Sequence, residues 1–324
     1  MKKIYICLVM MLLTQFFVFA QETKKVYFEL TPKAGISFGK WGEYLYDTEG
    51  EKLLSLLEWK SKPVFAAGVE GKLSFNIFEF DLGTAFGFSP NKNGTMFDSD
   101  WNEDGVKIIY SENDLYTDFL CDVNLDFFVN FQKGIFTFSP SAGINYSTFF
   151  FTARDGYGWY GDAKHSASGK DVEYKSSAAR YYPHISGYSI YRIHTLMYFM
   201  GLRTTIKPFP ALDVCAEFSV SPFTFTFTKD VHFRKSGIPS KYALSGHNIF
   251  FGRFKAGLSL NFSLSKKIGI TLGGTCLFGP TKKGTYFFFV NGSTTEEDYY
   301  LNQDGISACD ILDCKIMAGV NIKF

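Results

Sequence analysis

The sequence predicts an all-β protein, a ten-stranded antiparallel transmembrane β-barrel that extends beyond the membrane on the extracellular side. Three observations support this prediction. Apolar and polar residues alternate with a period of two along almost the whole chain after residue 20, as in strands with one apolar face. Aromatic residues make up 19% of the sequence, enough for girdles at two membrane interfaces. The last segment alternates up to a terminal Phe324, which resembles the assembly signal of bacterial outer-membrane proteins.

The first twenty residues have the pattern of a secretory signal peptide. Lys2 and Lys3 precede an apolar run, and a small-residue cleavage site ends at Ala20. We therefore expect residues 1–20 to be removed and residues 21–324 to form one domain. No later window offers about 18 uninterrupted apolar residues, so a helical inner-membrane protein is not expected.

Ten segments carry the alternation, and many are longer than the roughly 9 to 11 residues that a strand needs to cross lipid. We therefore expect them to project beyond the membrane on one side. Short connections near residues 132–134, 208–210 and 265–267 are predicted to be periplasmic, and the longer polar ones extracellular. A soluble sandwich that buries its apolar face is the alternative. The predicted segments are 28–46, 53–75, 77–97, 106–131, 134–156, 181–207, 211–233, 248–264, 267–288 and 305–324.

Charge and cysteine usage exclude several classes of protein. The 33 basic and 32 acidic side chains give a formal net charge of +1, so no nucleic-acid partner is expected. Five cysteines follow the signal peptide, an odd number that leaves at least one thiol without an intramolecular partner. Cys309 and Cys314 are predicted to face opposite sides of one strand. No His/Cys cluster has zinc-ligand spacing, so we expect no structural metal.

Two short motifs near strand ends carry candidate chemistry, Asp98-Ser99-Asp100 and Asp230-Val231-His232. Residues two apart on a strand point the same way, so each motif presents a pair of side chains to one side. The apolar series before Asp230 predicts that this Asp and His232 face the lumen. An Asp beside a His can orient the imidazole while the ring takes a proton from water, and a second carboxylate pair can hold that water. The alternative is that both motifs are structural or simply solvated.

Other motifs do not fit a catalytic context. Residues 35–39 match the Gly-x-Ser-x-Gly pattern of serine hydrolases, but this serine lies inside an alternating strand rather than in a strand-to-helix turn. Four further histidines have no acidic residue two positions away, and we interpret them as loop or rim residues. They are His165, His184, His194 and His247.

A series of short pieces, taken in order and spacing, resembles the omptin family of ten-stranded outer-membrane endopeptidases. The pieces are 42–46, 57–60, 96–101, 151–154, 230–232 and 282–284, followed by the aromatic C-terminus. The resemblance implies hydrolysis of peptide bonds without a metal or cofactor. It implies that His232 is the general base that activates water, that Asp230 is its partner, and that Asp98 and Asp100 form the opposing pair.

The resemblance also suggests how substrates are recognised, because omptins prefer to cut beside basic residues and use acidic groups to bind them. Glu43 matches a pocket acid, and Glu112 matches the acid of the neighbouring primed-side pocket. Thr228 stands where the second pocket acid is expected, so a strict demand for Arg or Lys is not carried over. Tyr146 and Thr148 stand at the family's lipopolysaccharide contacts. Since neither can bind phosphate by charge, dependence on lipopolysaccharide is not carried over either.

The sequence thus predicts a bacterial outer-membrane endopeptidase with its active site on the extracellular side. Its expected partners are peptide or protein substrates at the cell surface and the outer-membrane lipid. The alternative is a non-catalytic barrel that acts as an adhesin or a narrow pore, with the acids lining its mouth.

Overall fold

The computed structural model describes residues 26–47, 49–233, 236, 239–283, 285–291, 300–302 and 306–324, with side chains given outside 239–244, 285–291 and 300–302. The predicted signal peptide lies outside these residues. The described chain is almost entirely strand. No helix in this part of the chain is long and apolar enough to cross a membrane.

The strands are long, and several exceed twenty residues. Their bounds are β1 Val26–Tyr46, β2 Leu53–Phe75, β3 Phe78–Phe88, β4 Gly94–Trp101, β5 Lys107–Val129, β6 Phe131–Lys133, β7 Phe136–Tyr160, β8 Arg180–Ile185, β9 Tyr188–Phe209, β10 Leu212–Phe233, β11 Pro239–Ser263, β12 Ile268–Lys283, β13 Thr285–Asn291, β14 Tyr300–Asn302 and β15 Ile306–Lys323.

The strands form one antiparallel sheet in the order β10-β9-β7-β5-β3-β2-β1-β15-β12-β11-β13-β14, with β4 beside β2 and β5. Strand β10 also pairs with β11 over most of its length. Arg203 on β9 contacts Glu79 on β3, three strands away in this order. The sheet therefore curls round so that one face, the inner face, encloses an interior. The prediction of an all-β antiparallel fold is confirmed.

Several predicted segments differ from the structure, and the sixth divides into β8 and β9. The third segment divides into β3 and β4, because residues 89–93 leave the ladder and the Asn93 side chain bonds Ser61 and Thr117. The eighth begins at Pro239 rather than residue 248, since pairing with β10 continues to Phe233. The ninth divides into β12 and β13.

The two ends of the sheet differ in their connections. Tight links near residues 76–77, 134–135, 210–211 and 264–267 define the short-turn end. Longer links, including residues 161–179, define the long-connection end. Around the short-turn half the outer face carries a belt of exposed apolar side chains, among them Phe65, Met200 and Leu258 at about 60% exposure. Such a belt is the surface that lipid contacts in membrane barrels.

A layer of buried rings crosses the interior. This aromatic layer consists of Trp41, Trp59, Phe149, Phe151 and Tyr191, each at most 5% exposed. The rings of Trp59 and Tyr191 are stacked 4.5 Å apart, and Trp41 lies 4.4 Å from Phe149. Ring pairs at these separations add about 0.5–1.5 kcal/mol each beyond area burial. The layer divides the interior into a short-turn half and a mouth at the long-connection end.

The short-turn half of the interior is filled by ion pairs, here called the ionic layer. Arg203 donates to both Glu79 and Asp81. Two further inward lysines each contact two carboxylates. Lys255 lies 3.3 Å from Asp126 and 3.1 Å from Glu217, and Lys315 lies 2.7 Å from Asp122 and 2.6 Å from Asp313. These pairs let charged side chains occupy the interior without an uncompensated buried charge.

One disulfide joins Cys276 on β12 to Cys314 on β15. Each cysteine is an even number of residues from an exposed leucine on its own strand, Leu272 on β12 and Leu312 on β15. Both cysteines therefore lie on the outer face. Cys309 points inward, so the predicted opposite facing of Cys309 and Cys314 is confirmed. Within the described chain Cys121, Cys215 and Cys309 are free thiols.

Candidate active site

Asp98 and Asp100 lie on the inner face of β4. Alternation fixes this direction, because Met96 two residues earlier is 2% exposed and packs against the aromatic layer. The intervening Ser99 instead accepts a hydrogen bond from Lys107 at 3.1 Å on the other face. A strand rises about 3.3 Å per residue. Asp98 therefore lies about 7 Å and Asp100 about 13 Å beyond Met96, in the mouth.

Asp230 and His232 lie on the inner face of β10. His232 Nε2 lies 2.6 Å from Asp230 Oδ2. Asp230 is 5% exposed, whereas the His232 side chain is 28% exposed. In the neutral imidazole, Nε2–H donates to the carboxylate and Nδ1 carries the lone pair. The arrangement is therefore an oriented, solvent-accessible base with a buried acidic partner.

Both pairs lie next to the aromatic layer, on its mouth side. Asp230 is the cross-strand neighbour of Tyr191, which belongs to the aromatic layer, and Asp98 follows Met96, which packs on the same layer. Strands β4 and β10 are four steps apart in the sheet order, through β5, β7 and β9. Both pairs thus enter the mouth at a similar depth from different sides of the interior.

Tyr160, at the end of β7, belongs to the same mouth and is not identified by the sequence analysis. Burial raises the pKa of its hydroxyl to about 12, and the carboxylates of Asp98 and Asp100 contribute to this rise. Its ring packs 5.4 Å from His165 and 5.2 Å from Tyr182. The hydroxyl is therefore a neutral group held close to the acid pair.

Glu43 reaches the mouth from β1, and three hydroxyl groups surround its carboxylate. Oε1 accepts from Ser245 at 2.5 Å and from Thr228 at 3.3 Å, while Oε2 accepts from Tyr191. Burial raises the pKa of Glu43 despite these donors, and the nearby Asp230 carboxylate adds to the effect. The structure thus brings the predicted pair Glu43 and Thr228 together, beside Asp230.

This pocket lies beyond the apolar belt. On the outer face at the same level, Lys40 forms an ion pair with Glu58 at 2.7 Å, and the exposed Arg192 neighbours Tyr191. Charged outer side chains of this kind belong in water rather than in hydrocarbon.

Below the pocket, a buried histidine continues the hydrogen-bond network. His247 is fully buried and lies 3.3 Å from Ser245 and 2.9 Å from Ser307. The interpretation of His247 as a loop or rim residue is therefore wrong. The reason is the early start of β11, which places residue 247 inside a long strand with an inward side chain.

Glu112 is not brought to the other candidate residues. Its neighbour Ser111 is buried on the inner face opposite Asp98, so alternation turns Glu112 to the outer face. There its carboxylate accepts a hydrogen bond from Tyr110 at 2.5 Å. The expectation that Glu112 lines a pocket in the mouth does not agree with this placement.

The remaining residues considered in the sequence have other partners. His165 bonds Asp162 at 2.6 Å in the 161–179 connection. His194 lies inside β9 on the outer face, 2.8 Å from Tyr146 and 3.0 Å from Thr148, so its interpretation as a loop or rim residue is also wrong. Ser37 is buried within β1, as expected for a strand residue. A cavity of about 720 Å³ occupies the ionic half of the interior and includes none of the candidate residues.

Comparison with known proteins agrees with this fold. The family model described as the omptin family matches residues 25–314. The crystal structure of the outer membrane protease OmpT from Escherichia coli superposes with a TM-score of 0.78 at 15% sequence identity, covering 94% of this chain and 99% of that one. At this identity the superposition establishes a shared fold.

A second solved structure, a major outer membrane protein from Thermus thermophilus, gives a TM-score of 0.35 at 12% identity. It covers 93% of this chain and 100% of that one. No curated protein matches the chain in sequence.

Proposed function

Because the chain belongs to the omptin family, we propose that it is an endopeptidase of the bacterial outer membrane that cuts peptides or proteins at the cell surface. The observation that carries the proposal is the Asp230–His232 hydrogen bond in a mouth that also holds Asp98 and Asp100. An oriented imidazole beside several carboxylates is suited to the activation of water.

The proposed setting is a ten-stranded barrel that crosses the outer membrane with its long-connection end outside the cell. The pairing of β10 with β11 and the apolar belt on the outer face support it. Short periplasmic turns and longer extracellular connections are usual in barrels of this class. The predicted signal peptide would supply export.

In the proposed reaction, His232 takes a proton from a water molecule whose oxygen adds to the carbonyl carbon of the scissile bond. Asp230 holds the ring and stabilises its positive charge. Asp98 and Asp100 hold the water from the other side of the mouth. His232 then returns the proton to the amide nitrogen as the carbon–nitrogen bond breaks, which balances the protons and yields two peptides.

We also propose that Glu43 binds a basic side chain next to the scissile bond. Its carboxylate is the acid nearest Asp230 in the pocket, and the two are close enough for Asp230 to raise its pKa. A cation bound there would be held by a charge-assisted hydrogen bond, which is stronger than a neutral one.

The test is mass-spectrometric mapping of the cuts made in a mixed peptide library by the refolded full-length barrel, with and without added lipopolysaccharide. The wild-type chain is expected to cut beside basic residues, and His232→Ala is expected to abolish every cut. His194→Ala removes an imidazole from the outer face and should leave the cuts unchanged.

Two results would contradict the proposal. Cleavage that persists in His232→Ala would remove the assigned base. No cleavage by a correctly folded wild-type barrel in either lipid condition would favour the non-catalytic alternative, which conductance in planar bilayers or ligand binding would then identify.

A further inference from the structure

The pocket around Glu43 contains one carboxylate and three hydroxyl groups. Tyr191, Thr228 and Ser245 all donate to Glu43, and the hydroxyls of Thr228 and Ser245 also contact each other. The nearby Asp230 is bonded to His232. A cation entering the pocket therefore meets the Glu43 carboxylate within a set of neutral oxygens, with the Asp230–His232 pair beside it.

The three hydroxyls differ in mobility. Tyr191 is 2% exposed, and its ring is stacked on the fully buried Trp59, so its hydroxyl cannot leave Glu43 without disturbing the aromatic layer. The hydroxyls of Thr228 and Ser245 sit on short side chains, and their hydrogens can rotate so that the oxygens accept instead of donate. One carboxylate oxygen is thus held by a fixed donor, and the other lies beside two adaptable acceptors.

These features suit an ammonium group better than a guanidinium group. An ammonium is compact and carries three donors, which can be shared among one carboxylate oxygen and two hydroxyl oxygens. A guanidinium is a planar fork that binds best when both oxygens of a carboxylate face it. Tyr191 already donates to Oε2 of Glu43, so a guanidinium fork would have to share that oxygen with the phenol.

We infer that Thr228, Ser245 and Tyr191 make this pocket select lysine over arginine at the residue before the scissile bond. The inference rests on the proposed function, since it names the preferred side chain at that site. Tyr191 and Ser245 are thereby specificity-determining residues that the sequence alone did not indicate.

The test compares matched peptides that differ only in the residue before the cut, with Lys, Arg or norleucine there, using the refolded full-length barrel with lipopolysaccharide. For the wild-type chain kcat/KM is expected to be about tenfold higher for Lys than for Arg, the size of effect that one hydrogen bond to a charged group can supply. Norleucine, which keeps the length of lysine without its charge, should be cut more slowly than Lys.

Two variants test the cause of the preference. Thr228→Asp supplies a second carboxylate and is expected to raise kcat/KM for Arg so that the preference for Lys disappears. Ser245→Ala removes one acceptor and is expected to lower kcat/KM for Lys about fivefold with little effect on Arg. Ser168→Asp adds the same charge in an exposed loop and should leave the ratio unchanged.

The wild-type ratio does not depend on any variant folding. Equal or faster cleavage of the Arg peptide by the wild-type chain would overturn the inference and leave the proposed endopeptidase intact. If a folded wild-type barrel cuts none of the peptides, the proposed function fails and the inference fails with it.

Discussion

The two halves of the interior handle buried carboxylates in opposite ways. In the ionic layer, Glu79 and Asp81 face Arg203, and Asp313 faces Lys315. In the mouth, Glu43 is surrounded by hydroxyls, and the partner of Asp230 is His232. The short-turn half pairs these acids with Arg and Lys, whereas in the mouth Glu43 and Asp230 have neutral or titratable partners.

This difference separates acids that stabilise the fold from acids that are kept for chemistry. A carboxylate paired with Arg or Lys has its charge compensated whether or not a substrate is present. A carboxylate among hydroxyls keeps its capacity to bind a cation or to orient a base. Inward-facing acids alone therefore do not identify a site, and the nature of their partners does.

The largest expected effect tests whether the mouth acids are catalytic. Asp230→Asn keeps the size of the side chain but removes the charge that orients and stabilises the His232 imidazole, so kcat/KM should fall about 10³- to 10⁴-fold. Peptide cleavage measures this, and circular dichroism checks that the barrel is folded. Asp118→Asn, on the outer face where Thr152 bonds Asp118 at 2.7 Å, is the matched control. A loss of less than tenfold in Asp230→Asn would contradict the assigned role.

The second prediction tests the ionic half. Arg203→Gln leaves Glu79 and Asp81 with Lys72 as a cation but should lower the free energy of unfolding by about 3 kcal/mol, because it removes two hydrogen bonds to buried carboxylates. Urea titration of the refolded barrel measures this, and kcat/KM of the folded molecules should not change. Lys207→Gln removes a lysine whose side chain is 53% exposed and which pairs with Asp213 at 3.2 Å. That control should change stability by less than about 1 kcal/mol. Equal losses of unfolding free energy in Arg203→Gln and Lys207→Gln would contradict the predicted difference between the buried and the exposed ion pair.

The third prediction concerns the charge of Glu43. Glu43→Gln should lower kcat/KM for a Lys peptide about tenfold, since it removes a charge-assisted bond.

The same variant should also change the pH dependence of stability. Burial raises the pKa of Glu43, so the wild-type chain keeps the full contribution of this group below the pKa of the unfolded carboxyl and loses it as pH rises through the folded pKa. Gln does not titrate. The unfolding temperature of the variant should therefore rise relative to that of the wild type as pH increases. A difference between the two unfolding temperatures that stays constant with pH would contradict the raised pKa.

The smallest expected effect concerns Tyr160. Tyr160→Phe removes a neutral hydroxyl from the neighbourhood of Asp98 and Asp100, so kcat should fall about threefold, with KM unchanged, for the loss of one modest polar interaction. A purely structural role would lower the folded fraction, measured by circular dichroism, without changing kcat per folded molecule.

Alternation along single strands predicts most of the fold, because the apolar and polar residues of each strand show which side chains face inward and which face outward. It also predicts the inward direction of Asp230 and His232, and the opposite facing of Cys309 and Cys314. It cannot locate the start of β11, since that depends on how far β10 continues on the neighbouring strand. The prediction for His247 is wrong for this reason.

Glu112 and Tyr191 show the other limits of sequence reasoning. The expectation for Glu112 rests on a family motif, and the local alternation around Ser111 turns this residue to the outer face. The contact between Tyr191 and Glu43 joins residues 148 positions apart across the interior. No periodicity within a strand contains that information, because it depends on how the sheet curls.

The Cys276–Cys314 bond lies on the face that we propose is covered by lipid. Thiols in that position are within reach of water-soluble oxidants only before the surrounding hydrocarbon closes over them. We therefore expect β15 to be joined to β12 in the periplasm, before lipid covers this face. A host without a periplasmic thiol oxidase is expected to yield the barrel with both thiols reduced.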